Sequence, residues 1–330
     1  MLALVEPWET ALSFVALSAC TKVSYDFLTG RDLVRDNLDR LRLRRRSLKE
    51  WDSWCAQNTR TSDILVCLTT TPSRIDRLAP TLMSLLAQDT RALRIRVHVP
   101  HVSKRERRVY ALPAFLAELD CVEVVRTDDH GPATKLLPAL VSEGADQALL
   151  VVDDDKLYPP GFITGFAEAA QSEKNVAWGS SGWIVPPDLT DRPTSLLGNL
   201  LMRPPVPTKG TRIKQPKQVD ILQGYSGYLV RPRFFELTRV FDYATAPQAA
   251  FFVDDVWISA HLTVPKQVLP STRYCFEVLR HHRLHARTSI SLQNRGSGDP
   301  ASRNNTIMIR HLQKAWLNQR PSAEALALGA

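Results

Sequence analysis

The sequence offers little with which to build a covalent or metal-stapled scaffold. It has five cysteines in 330 residues, Cys20, Cys55, Cys67, Cys121 and Cys275, an odd number, widely scattered and with no CxxC pair. That spacing excludes a disulfide framework and a zinc ribbon, and a reducing compartment fits it best. Cys67 and Cys121 stand in apolar runs and read as small buried hydrophobes. A spanning segment is lacking too. The uncharged run Thr10–Thr21 follows Glu6 and Glu9 and is too short to cross a bilayer. The start lacks the basic residues of a secretory signal. No internal repeat is found. These absences describe a soluble or peripheral protein, expected in the cytoplasm or at the inner face of its membrane.

What is present is an ordinary globular composition, 44% apolar and 23% charged, with a formal net charge of +8. The excess is a moderate bias toward anionic partners such as nucleotide phosphates or acidic lipid, and too dilute to imply nucleic acid. Residues 31–50, RDLVRDNLDRLRLRRRSLKE, place Val34, Leu38, Leu41 and Leu48 at near-helical spacing. The expectation is a solvated helix that packs this narrow stripe on the domain, because Asp32, Asp36 and Asp39 dilute its positive charge. The other reading is a basic amphipathic helix touching anionic lipid.

From residue 63 short apolar runs alternate with helical segments. Strands are expected at 64–70, 94–100, 122–127 and 147–153, and helices at 74–88, within 103–119, and at 134–144. This is the pattern of βαβ units around a parallel sheet, whose ligands sit beyond the carboxyl ends of the strands. The proline-rich stretch 186–218 reads as a long loop or excursion. Residues 219–232 are strand-like but broken by Gly224 and Gly227, and 254–262 look helical. Residues 293–304 read as a polar linker. The expected organisation is an N-terminal helical extension over 1–62, an α/β domain over 63–292, and a linker with C-terminal helix or tail over 293–330.

The sharpest local feature is VVDDDKLYPP (151–160), three carboxylates at the mouth of an apolar strand. Asp153 and Asp155, two positions apart, share a side and suit a hard divalent cation, which would clamp a diphosphate. Without a cation the triplet is an electrostatic cost. A solvated acidic turn is the bland alternative. A second acidic pair, Asp254-Asp255, follows the apolar lead FFV and opens a helix. Helix capping accounts for either aspartate alone.

The triplet resembles the DxD signature of nucleotide-sugar glycosyltransferases with the GT-A fold, family 2-like, over roughly residues 63–290. The resemblance implies a Rossmann-like α/β fold with a mostly parallel central sheet flanked by helices, and a hexosyltransferase in glycan biosynthesis. It implies a UDP-sugar or GDP-sugar donor, Mn2+ or Mg2+, and a glycan, lipid or protein acceptor, with no nucleic-acid partner. Asp153 would lie near the donor ribose or sugar, Asp154 would orient the sugar, and Asp155 would ligate the metal with Asp153. Thr69, Thr71 and Arg74 in CLTTTPSRIDRL would cradle the nucleotide. In TDDHGPATKLLPAL, Asp128 or Asp129 would accept hydrogen bonds from uracil or ribose, and Lys135 would reach a phosphate. Asp255, with Asp254 next, would be the base that deprotonates the acceptor hydroxyl, giving inversion. His282 or His285 in RHHRLHARTS would add a metal ligand. GSSGW (179–183) and QGYSGY (223–228) offer Trp183 and Tyr225 as flat faces for a sugar.

Two rivals come from other classes. A phosphohydrolase like the haloacid dehalogenases also uses paired aspartates after a strand, but here Lys156 and Leu157 follow the triplet, which comes after three βα units. A non-catalytic basic module would bind through patches such as 40–46, and would leave the acidic pairs without a cation to hold.

Overall fold

A computed structural model of the chain describes residues 7–192, 206–277, 294 and 297–317. Eight strands form its central sheet: β1 Leu65–Thr69, β2 Arg94–Pro100, β3 Val122–Thr127, β4 Leu149–Val151, β5 Ala177–Gly179, β6 Lys217–Gln218, β7 Tyr228–Val230 and β8 Lys266–Val268. Their spatial order is β6-β8-β5-β7-β4-β1-β2-β3. β1 to β4 are mutually parallel. β7 runs against both β4 and β5, β8 runs with β5, and β6 runs against β8. The result is the expected mixed α/β architecture with a mostly parallel sheet. All four parallel strands end on one edge, where their connecting loops gather.

Alternation along β1 builds two apolar layers, since successive side chains leave a strand on opposite faces. Val66 and Leu68 join a cluster with Trp51, Leu82, Leu85, Ile163 and Phe166. Leu65 and Cys67 join the other, with Leu137, Leu140, Val256, Trp257, Met308 and Ile309. The first face is covered by α3 (Leu48–Gln57), α4 (Ala79–Leu86) and α6 (Phe162–Ser172), the second by α5 (Leu137–Ser142), α8 (Asp254–His261) and α9 (Asn304–His311). Helices α1 (Pro7–Thr29) and α2 (Leu33–Leu43) precede these, and the short α7 (Leu237–Val240) lies before α8. All five cysteines are free thiols. Cys67 is buried as expected, and Cys121 is half-buried.

Two expectations change. Residues 103–119 form no α-helix: Val102–Ser103 pairs with Arg108–Val109 as a small hairpin, followed by a 3-10 turn over Ala114–Glu118. The segment has no apolar stripe at helical spacing, and Pro113 interrupts it just before that turn. The stripe of α2 does not pack inward either. Val34, Leu38 and Leu41 are 49%, 58% and 54% exposed, while Asp36 is buried. Arg273 accounts for the reversal, donating to Asp36 at 2.9 Å and Asp39 at 2.7 Å, and Arg40 donates to the Glu277 carbonyl at 2.9 Å. The polar side of α2 therefore faces the protein. Among the described residues no helix is long and apolar enough to cross a membrane.

The C-terminal segment belongs to the second apolar layer. Met308, Ile309 and Trp316 are completely buried, and the Trp316 indole donates to the Ile309 carbonyl at 3.1 Å. Trp316→Ala is expected to lower stability by about 3–5 kcal/mol, the usual cost of emptying a buried aromatic site, read as a lower urea midpoint at unchanged slope.

Candidate active site

At the carboxyl edge of β1, β3 and β4 lies a cavity of about 490 Å³ whose lining brings together the two acidic segments noted in the sequence. Thr69, Thr71, Arg74, Asp129, Lys135, Asp153, Asp154, Asp155, Asp254 and Asp255 all border it. Trp183 and Tyr225 form part of its wall. His282 and His285 lie outside the described residues.

The loop after β1 is an anchoring device. The Thr69 hydroxyl donates to the His98 carbonyl at 2.8 Å, tying β1 to β2. Thr70, which sequence reasoning passed over, donates to Asp154 Oδ2 at 2.6 Å. Thr71 and Ser73 share a hydroxyl contact of 3.1 Å. Arg74 forms a very short ion pair with Asp154 Oδ1 and a second, at 3.1 Å, with Asp155 Oδ2. Strand alternation is the signal for Thr70, since it must project opposite to Thr69 and Thr71.

Each member of the triplet therefore meets a cation of the protein itself. Asp153 Oδ1 accepts from Lys135 Nζ at 2.6 Å, Asp154 pairs with Arg74, and Asp155 lies between Arg74 and Lys156, whose Nζ is 3.6 Å away. The triplet's repulsion is relieved within the fold, without needing an external ion to be tolerable. Asp154 is the buried member. Burial pushes its carboxyl up to about 6, and Arg74 limits the rise. The Thr81 hydroxyl donates to the Asp154 carbonyl at 2.8 Å, and the Asp153 N–H donates to the Tyr158 hydroxyl at 2.9 Å. The turn is held from both ends.

Lys135 occupies the centre. It closes the 3-10 turn Ala133–Lys135, is only 4% exposed, and its ammonium also lies 3.0 Å from Asp254 Oδ2. Burial alone would favour the neutral amine. The surrounding Asp153, Asp254 and Asp255 outweigh it and hold the pKa well above the ordinary lysine value. The ammonium is thus a bridge between carboxylates, engaged before any phosphate arrives. Asp255 Oδ1 accepts from the Gly224 N–H at 2.9 Å. Burial and the adjacent Asp254 charge push the Asp255 carboxyl up to about 8, against the pull of Lys135. An added Cβ at Gly224 would stand 2.5 Å from Lys135 Nζ and 2.9 Å from Asp255 Oδ1, so a larger residue there would displace the ammonium or that carboxylate.

Asp129 is committed to backbone. It accepts from the Lys104 N–H at 2.6 Å and the Gly131 N–H at 2.7 Å, pinning the 102–109 hairpin to the turn after β3. That hairpin brings Ser103, Arg105 and Tyr110 to the cavity. Arg105 is half-buried and, among the described residues, has no carboxylate within ion-pair distance. Asn294, in the stretch read as a polar linker, and Asn305, just beyond it, also line the cavity. Among the described residues no group of three His, Cys, Asp or Glu side chains forms a complete cation cage. The donor set that does line the cavity, the carboxylates of Asp153 and Asp155, suits Mg2+ or Mn2+ in the mode where one or two carboxylates hold the ion and substrate phosphates complete it.

No protein-family model matches the chain, and no curated protein matches it significantly. Among solved structures it is similar to S. aureus TarS 1-349, at 13% identity and a TM-score of 0.39, over 80% of this chain and 74% of that one. It is also similar to GalNAc-T7, solved with UDP, GalNAc and Mn2+, at 11% identity and a TM-score of 0.42, over 81% of this chain and 52% of that one. With both TM-scores under 0.5, the site stands on its own residues.

Removing the bridge tests its role in the fold. Lys135→Met is expected to cost about 3–5 kcal/mol, because the buried Asp254 and the half-buried Asp153 are left facing each other with no cation between them. Chemical denaturation checks it: the urea midpoint of the variant should fall at unchanged slope, and an unchanged midpoint would contradict the bridging role.

Proposed function

We propose that the chain is a metal-dependent glycosyltransferase of the GT-A type, moving a sugar from a UDP-sugar or GDP-sugar to an acceptor hydroxyl. The observation that carries this reading is the meeting of Asp153–Asp155 and Asp254–Asp255 around one buried ammonium, in a cavity at the carboxyl edge of parallel strands. Two carboxylate sets with different surroundings divide binding from proton transfer. In this reading Asp153 and Asp155 hold Mn2+ or Mg2+, and the bound ion supplies charge neutralisation for the donor diphosphate. Arg105, having no carboxylate partner among the described residues, is the cation most available to that diphosphate. Arg74 and Lys135 set the carboxylates in place, and Thr70 seconds them on Asp154.

Asp255 serves as base. Its ionised carboxyl takes the proton of the acceptor hydroxyl, the oxygen bonds to the anomeric carbon, and the bond from that carbon to the diphosphate breaks. Attack opposite to the leaving diphosphate inverts the anomeric centre. A carboxyl pushed up to about 8 is a stronger base than an ordinary aspartate and is half-ionised near working pH. Trp183 and Tyr225 supply apolar faces to the sugars, and Asp129 shapes the nucleotide end by fixing the hairpin.

Three outcomes check this. UDP or GDP with Mn2+ should raise the melting temperature, and Asp155→Asn should remove the metal-dependent part. Asp255→Asn should keep that binding while lowering kcat by about 10²–10⁴-fold, the usual worth of a positioned base. Transfer by the unmodified protein should rise with pH and level off above about 8. Metal-dependent release of phosphate from an aryl phosphate, lost in Asp153→Asn, would instead establish a phosphohydrolase. Stability carries the same signature with the opposite sign. The folded Asp255 carboxyl keeps its proton up to about 8, whereas an unfolded aspartate loses it near 3.8. The fold therefore loses stability as pH rises through that window, and Asp255→Asn should gain melting temperature at pH 8 relative to pH 5.

A further inference from the structure

Helices α1 and α2 leave apolar side chains facing outward where a solvated extension would carry polar ones. On α1, Trp8, Leu12, Phe14, Val15 and Leu17 are 59% to 72% exposed. At about 100° per residue these positions encircle the helix instead of forming one stripe. Ser13, Ser18 and Thr21 stand among them, so α1 is a mixed helix whose large apolar side chains have no cover among the described residues. On α2 the exposed Val34, Leu38 and Leu41 share one stripe, with Asp36 and Asp39 held inward by Arg273. Directly after α2 come the exposed Arg44 and Arg45, and then Lys49.

We propose that α1 and the outer stripe of α2 dock the protein on an anionic lipid bilayer, with α1 entering the interface and Arg44, Arg45 and Lys49 meeting the headgroups. Charge decides between this occupant and a second copy of the chain. A two-fold dimer through the same surface would bring its basic cluster against itself, while anionic headgroups complement it. Among the described residues no helix is long and apolar enough to cross a membrane, and the proposal places α1 in the interface. The far end of α1 is fixed to the body: Thr211 donates to the Gly30 carbonyl and Arg212 to the Leu28 carbonyl, both at 2.8 Å. Neighbouring Lys209 stacks over Tyr274, whose hydroxyl bonds to Tyr225 in the cavity wall at 2.8 Å. The docking helix thus attaches close to the candidate active site, although the inference does not depend on the activity proposed for that site.

Flotation of the full chain with vesicles tests it. The protein should float with vesicles of phosphatidylcholine and phosphatidylglycerol, and should stay at the bottom with phosphatidylcholine alone in moderate salt. Arg44→Ala and Arg45→Ala should each weaken partitioning about five-fold. Phe14→Glu with Leu17→Glu should abolish it, with the melting temperature unchanged because both side chains are exposed. An environment-sensitive dye on Cys20, the exposed thiol of α1, gives a readout without any substitution, and its emission should shift to the blue on anionic vesicles. Failure to float with unshifted emission would overturn the proposal. So would a concentration-dependent dimer in ultracentrifugation that the Phe14→Glu, Leu17→Glu variant disrupts while vesicles bind neither form.

Discussion

One buried ammonium organises the candidate site. Lys135 Nζ lies 2.6 Å from Asp153 and 3.0 Å from Asp254, joining the turn after β4 to the first turn of α8. The gross Coulomb attraction of such a pair is on the order of several kcal/mol at an effective dielectric of about 20. Burial opposes that gain, so the arrangement holds only while both carboxylates stay in place. Gly224 makes the approach possible, and the 3-10 turn Ala133–Lys135 aims the side chain. The cavity exists where it does because these two acidic segments are held to one cation.

The way charge is shared out explains why neighbouring aspartates differ. Arg74 serves Asp154 and Asp155, and Lys135 serves Asp153 and Asp254. Asp255 receives the backbone N–H of Gly224 and, among the described residues, forms no ion pair; burial beside Asp254 drives it up to about 8 against the pull of Lys135. Asp154, at about 6, and Asp255, at about 8, are the raised members of the row, and in the proposed reading Asp255 exchanges the proton while Asp153 and Asp155 face the ligand. Binding a divalent ion would require Lys135, Arg74 and Lys156 to share their carboxylates with it. The donor diphosphate would offer those cations oxygens in return.

Much of the architecture was legible because it follows from alternation. β2 and β3 appear over the expected residues, and Gly224 and Gly227 break 219–232 into the short strand Ile221–Leu222 and β7. The acidic segments were visible as charge placed after apolar runs, and the structure does bring them together. What stayed hidden depends on contacts between distant residues. Nothing local to α2 reveals that Arg273 turns its acidic side inward, and nothing near 103–110 reveals that Asp129 captures the Lys104 N–H. Lys135 read as a lysine reaching for a phosphate, because its two carboxylate partners lie 18 residues and more than 100 residues away in the chain. Asn294 read as linker for the same reason.

An anomalous difference map from crystals of the protein grown with UDP and Mn2+ tests the account most directly. It should show a manganese peak bordered by the Asp153 and Asp155 carboxylates and the UDP diphosphate, with Lys135 still joined to Asp254. A nucleotide bound away from this cavity, or one bound within it with no metal peak beside the triplet, would contradict it.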